Sequence, residues 1–173
     1  YQITEGSLEG DDSLSGELER VAGEDVGDYT INQGTLDNDN YAISYVSADL
    51  SITPKDLTIT ADDKTKVYGE DDPAFTVSYD GFITDEDKDD LTGTLEFTRE
   101  AGEDIGSYTI TPSGLSSDNY DISYETGTLE IGQKVITVTA EDKTKVYGEE
   151  DPELSYQITE GILEGDDSLS GSL

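Results

Sequence analysis

Carboxylates are the groups of this chain best placed to do chemistry, and their densest run is Asp85-Glu86-Asp87-Lys88-Asp89-Asp90, with Glu96 beyond it. Counted from Asp85, acids at positions 1, 3, 5 and 12 trace the outline of a helical calcium loop. The outline fails at position 6, where such a loop needs glycine and this chain has Asp90, and no flanking helix can be read. Asp85, Asp87 and Asp89 therefore stand as calcium candidates only for some other oxygen cage, against the plainer reading of a solvated acidic loop. A second group, Asp62, Asp63, Glu70, Asp71 and Asp72, surrounds a Tyr-Gly turn, and Asp142, Glu149, Glu150 and Asp151 surround its copy. A cation that stiffens the junction between two units is expected there first, although Lys64 and Lys66 alongside argue for ordinary ion pairing.

Other chemistries have weaker footing. Two carboxylates can divide acid and base work in glycoside hydrolysis, but these acids sit in loops and the chain has no Trp to floor a sugar site. Cys and His are both absent, which removes thiolate nucleophiles, disulfides, the commonest general base and the commonest metal imidazole. No catalytic residue and no cofactor other than the calcium candidates is assigned, and no enzyme is expected. An isopeptide staple between Lys66 and Asn119 is a further option for a small unit without disulfides.

Charge narrows the partners. Forty-two acidic residues against nine basic ones give a formal charge of −33, which repels nucleic acid and anionic lipid. No apolar run approaches the roughly 18 residues that suggest a membrane span. The chain opens on Tyr1 without a signal-like segment, and the expectation is that it is cut from something longer.

The elements that must position these residues come in repeats. Lys64-Thr65-Lys66-Val67-Tyr68-Gly69-Glu70-Asp71-Asp72-Pro73 returns almost unchanged as Lys143 to Pro152. Alternating Leu57-Thr58-Ile59-Thr60-Ala61 before the first copy recurs in phase as Ile136-Thr137-Val138-Thr139-Ala140, the pattern of a strand that leads into a Tyr-Gly turn at Tyr68-Gly69 and Tyr147-Gly148. Ala22-Gly23-Glu24-Asp25-Val26-Gly27-Asp28-Tyr29 matches Ala101 to Tyr108, and the two tyrosines are expected to form corners, their hydroxyls bonding back to nearby backbone. Asn40-Tyr41-Ala42-Ile43-Ser44-Tyr45 matches Asn119-Tyr120-Asp121-Ile122-Ser123-Tyr124, a half-buried strand pattern in both copies, and Asp49 to Ile52 matches Thr128 to Ile131 as a closing strand. Further strands are expected over Phe75–Tyr79 and Thr94–Phe97, with an acidic loop between them. Residues 1–18 return as 156–173 with two changes, so the chain starts and stops at the same phase of its repeat. This divides it into the C-terminal part of one repeat at 1–54, a complete repeat at 55–133 and the N-terminal part of the next at 134–173. No window carries a helical period, and 32% hydrophobic residues is lean for a large core. The predicted architecture is all-β: small antiparallel β-sandwich repeats of immunoglobulin-like type, joined by linkers so short that the array behaves as an elongated, semi-rigid rod.

The ordered set of Val67-Tyr68-Gly69 with Asp72-Pro73, Leu91-Thr92-Gly93-Thr94-Leu95, Gly106-Ser107-Tyr108-Thr109-Ile110, Asn119-Tyr120 and Gly127-Thr128-Leu129-Glu130-Ile131 resembles the MBG-type domains of the Tyr-Gly-X class. The resemblance implies a mostly-β module repeated in tandem in large bacterial surface and secreted proteins, with no catalytic residues to carry over. The expected function is a stalk, spacer or fibre segment of a bacterial cell-surface or extracellular adhesin or matrix protein, its partners being neighbouring repeats or other copies of the chain. Two alternatives stay open: an adhesion module that grips a glycan or protein ligand, and a self-assembling fibre subunit whose ends are completed by a neighbouring chain. In all of these Tyr29, Tyr68, Gly69, Tyr108, Tyr120, Tyr147 and Gly148 are read as structural.

Overall fold

A computed structural model describes residues 1–170; the last three positions of the expected third segment, 171–173, lie outside the described residues. Among the described residues twelve strands form: β1 Glu19–Arg20, β2 Gly27–Asn32, β3 Ala48–Ile52, β4 Lys55–Ala61, β5 Lys64–Val67, β6 Val77–Asp80, β7 Thr92–Arg99, β8 Gly106–Ser116, β9 Tyr120–Glu125, β10 Gly127–Gly132, β11 Thr137–Ala140 and β12 Tyr156–Glu160. The chain is all-β, and the one helical turn among the described residues is a 3-10 turn at Lys88–Asp90. Four small sheets result, in the orders β1-β2-β3, β6-β4-β9, β5-β10-β8-β7 and β11-β12.

Alternation sets these strands. In β4, Leu57, Ile59 and Ala61 are buried while Thr58 and Thr60 between them are only partly covered, as a pleat with one face inward requires. In β10, Leu129 and Ile131 take the inward positions, opposite Tyr108 and Gly106 of β8. Pro112 of β8 is also buried, but the β8–β10 ladder stops at Ile110, so its missing N–H costs no bond to β10.

The residues pack as two compact units. The first comprises Tyr1–Leu57, Gly81–Gly93 and Leu115–Ser123; the second comprises Thr58–Asp80, Thr94–Gly114 and the chain from Tyr124 onward. In the first unit Leu36, Leu57 and Tyr120 are buried, with Phe82 edge-on to Tyr120 at 5.4 Å between ring centroids. In the second, Ala61, Ile110, Leu129 and Ile131 form the core, and Tyr68, Phe75, Phe97 and Tyr108 pack around it.

Two expectations need correction. The sheets are not purely antiparallel, because β5 runs parallel to β10, pairing Lys64 with Leu129 and Lys66 with Ile131. The opening strand breaks at Asp62-Asp63, and its second half leaves β4's sheet to lie beside the closing strand, which runs in the same direction. Nor do residues 40–45 form a strand, although their copy does as β9. In that copy β9 lies beside β4, the opening strand of its own repeat, whereas among the described residues no strand pairs with 40–45. A half-buried pattern becomes a strand only when a partner meets it.

Leu129→Ala, at 0% exposure, removes a side chain from the middle of a very small core and is expected to cost about 2–5 kcal/mol in urea unfolding. Leu154→Ala, at 56% exposure, should stay within about 0.5 kcal/mol of wild type. Equal effects would show that Leu129 is not a core residue.

Candidate functional site

The most built arrangement of charged groups in the molecule is a four-residue network in the second unit. Lys66 Nζ donates to Asp72 Oδ1 at 2.7 Å and to Glu103 Oε2 at 2.5 Å. Arg99 Nε donates to Asp72 Oδ2 at 2.5 Å, and its Nη2 pairs with Glu103 Oε1. Strand β5 places Lys66, the end of β7 places Arg99, and the two carboxylates come from the loops after the Tyr-Gly turn and before β8. The Lys66 side chain is 3% exposed and that of Arg99 13%, against 31% for Asp72 and 65% for Glu103. Two cations are thus covered while their counterions reach solvent.

The same arginine continues into the turn. Its Nη1 donates to the carbonyls of Glu100 (2.9 Å) and Gly102 (2.6 Å), and its guanidinium lies 5.6 Å from the centroid of the Tyr108 ring, within cation–π range. Tyr108 donates from its hydroxyl to the Asp104 carbonyl at 2.9 Å. Gly102 has φ +149°, and a Cβ there would come within 2.2 Å of the Tyr108 ring. Glycine is the residue that both the backbone angle and the ring admit. The first unit repeats the device: Arg20 bonds Glu24 and the Gly23 carbonyl and lies 5.4 Å from the Tyr29 centroid, and Tyr29 donates to the Asp25 carbonyl at 2.8 Å. Sequence reasoning missed Arg20 and Arg99. The available signal was that they are the only arginines in the chain and occupy the same place in two repeats.

The Tyr-Gly turns are closed alike and surrounded differently. Glu70 N donates to the Val67 carbonyl at 3.0 Å, Val67 N to Glu70 Oε2 at 3.1 Å and Tyr68 N to the Gly132 carbonyl at 2.9 Å. Bonding of the Tyr68 hydroxyl to Asp167 raises its pKa. In the copy, Glu149 N donates to the Val146 carbonyl at 3.1 Å, but Tyr147 is fully exposed and nothing lies within 4 Å of a Cβ built on Gly148. Tyr120, buried, accepts from Ile83 N at 3.1 Å and donates to Glu86 at 2.5 Å; burial first, and then Glu86, raise its pKa.

The calcium candidates are spread among local partners. Asp62 accepts from the Thr76 hydroxyl, which in turn accepts from Lys64, and Asp63 accepts from Thr128 N at 2.8 Å. Glu70 closes its own turn and Asp72 belongs to the network. Asp87 accepts from Asp89 N at 2.8 Å as the cap of the 3-10 turn, Asp89 pairs with Lys88, and Asp85 sits at φ +73°. Asp71 is exposed. In the copy, Asp151 pairs with Lys145 at 2.5 Å. Among the described residues no three carboxylates converge into a group able to hold a metal. Glu96, the acid that closed the calcium-loop outline, is carried off on β7. Neither end of the sequence-suggested isopeptide pair is idle: Lys66 is held as above, and the Asn119 amide bonds Asp25 and Val26.

The network makes a signed prediction about pH. Arg99 and then Lys66 hold the Asp72 carboxyl below its ordinary 3.8, and Lys66 and then Arg99 hold Glu103 below its ordinary 4.5. Folded values below unfolded ones mean that their contribution is complete above those ordinary values and is lost as pH falls through the lowered ones. Lys66 and Arg99 are shifted up, chiefly by Asp72, so they stay charged throughout that range. Because mild acidification also relieves the repulsion of a chain at −33, the readout is a difference: Asp72→Asn should melt below wild type at neutral pH, and the gap should close as pH falls below 3.8. A gap independent of pH would show that Asp72 acts by shape and not by charge. Arg99→Lys, which keeps the charge but loses the fork and the stacking on Tyr108, should also lower the melting temperature.

Neither the curated proteins nor the solved structures offer a match to this chain. The family described as MBG domain (YGX type) matches in three segments, residues 1–51, 57–130 and 136–173. These hold the Tyr-Gly turns, the arginine-stacked tyrosines and most of the closing strands β3 and β10. The chain belongs to the MBG domain family of the YGX type.

Proposed function

We propose that this chain is a length of a non-catalytic stalk or spacer in a bacterial surface protein, in which immunoglobulin-like sandwich repeats follow one another as a semi-rigid rod outside the cell. MBG domains typically occur in surface proteins, which supports the location. The observation that carries the mechanical role is how little chain separates successive repeats: β3 ends at Ile52 and β4 begins at Lys55, while β10 ends at Gly132 and β11 begins at Thr137. Connections this short leave neighbours little freedom to swing. The conspicuous side-chain chemistry serves cohesion, since lysine and arginine bind carboxylates and tyrosines bind backbone. Surplus negative charge keeps near-identical repeats from joining at their strand edges, a standing hazard of exposed sheets.

Small-angle scattering of the monomer is expected to give a pair-distance distribution with a long tail and little change in maximum dimension between low and moderate salt. A bell-shaped distribution of a globular particle would overturn the reading.

A further inference from the structure

Repeats and compact units do not coincide. The first unit joins the matched segment 1–51 to Gly81–Gly93 and Leu115–Ser123 of the middle segment 57–130, and the second joins most of what remains of that segment to the last one. Each unit therefore encloses one boundary between successive repeats, and the contacts that cross the boundary belong to its own packing.

At the second boundary the Tyr-Gly turn of the middle repeat meets the acidic turn 161–167 of the next. That acidic turn is closed by Asp167 N, which donates to the Glu164 carbonyl at 2.9 Å. The Tyr68 hydroxyl bonds the Asp167 carboxylate. Glu164 lies over Gly69: an added Cβ would come within 2.5 Å of its Cδ, so a larger residue displaces Glu164 from this seat. Lys134, between the two matched segments, pairs with Glu164 and anchors it there. A φ of +85° favours glycine at Gly69, as +91° does at Gly148 in the copy of the turn. No described atom lies within 4 Å of a Cβ built on Gly148. The close approach at Gly69 thus belongs to the contact with the next repeat and not to the turn itself.

The next repeat leans on that contact. Its strands β11 and β12 form a two-stranded sheet in which Val138 is 46% and Tyr156 41% exposed. Two strands alone are marginal in water, so their order draws on what the repeat grips outside itself. The first boundary is crossed in a similar way, Val26 N donating to Asn119 Oδ1 at 2.9 Å and Asn119 Nδ2 to Asp25 Oδ1 at 3.1 Å. Both crossings use neutral donors, which suits a chain with nine cations for forty-two acids. We propose that the Tyr68-Gly69 turn is the joint with which one repeat grips the next, its partner being the acidic turn around Glu164 and Asp167 of the following repeat. The joint itself requires only the repeat boundaries; as the contact that stiffens a rod, it rests on the spacer reading.

Amide hydrogen exchange of the full chain tests it. Tyr68→Phe keeps the ring and removes the donor. Exchange in β12 is expected to speed up about tenfold, the weight of one hydrogen bond to a charged group, while β2 stays as in wild type. Asp167→Ala should do the same, and the double variant should exchange no faster than either single one, because both remove one bond. Asn119→Ala should leave β12 unchanged. Unprotected β12 amides in the wild type, β12 exchange indifferent to Tyr68→Phe, or additive effects of the two substitutions would overturn the joint. Coupled effects in a particle that scatters as a globule would remove the spacer reading and keep the joint; additive effects in an elongated particle would do the reverse.

Discussion

Cations are the scarce component of this molecule, and their placement is the constraint on which its order depends. With nine of them among forty-two acids, the chain cannot neutralise itself, and every lysine and arginine is committed. Seven bridge to carboxylates, Lys55 bonds the Gly81 carbonyl and Lys64 the Thr76 hydroxyl. The best covered of them, Lys66 and Arg99, sit where the Tyr-Gly turn, the end of β7 and the turn before β8 converge. An exposed ion pair contributes little to stability. Here the ammonium and guanidinium are covered by protein and each meets two carboxylates, so removing one partner leaves a charge poorly solvated.

Around that network the apolar contribution is modest. Four fully covered residues with four partly covered aromatic neighbours make a core thinner than a domain usually has. The fold compensates with many specific local bonds: tyrosine hydroxyls on carbonyls, arginine on glycine carbonyls, aspartates on backbone N–H groups. Such bonds fix geometry more than they add free energy, since each replaces a bond to water. A module built this way holds its turns firmly while burying little, which suits the spacer role proposed above.

Charge of a single sign has two consequences that pull in opposite directions. It discourages unpaired strand edges from meeting, and it also weakens any specific contact between copies. The contact at Asn119 needs no net charge complementarity, because an amide supplies a donor and an acceptor at once. A neutral hydrogen bond is one form of contact open to repeats that all carry the same charge.

The strand alternation, the repeat and the two tyrosine positions were legible in the residues alone, because period-two patterns and local turn bonds depend on neighbours close in sequence. The ion network was not, since Lys66, Asp72, Arg99 and Glu103 meet only after three separate segments are brought together. The parallel pairing of β5 with β10 was equally out of reach. The sharpest case is a segment present twice. Lys64-Thr65-Lys66-Val67 is a strand with its second lysine covered, while the identical Lys143-Thr144-Lys145-Val146 is not a strand and its second lysine is 44% exposed. Identical residues carry identical propensities, so sequence determined that both segments could be strands. Tertiary structure makes the first one a strand, because a strand's hydrogen bonds belong to its partner, and β10 lies beside it.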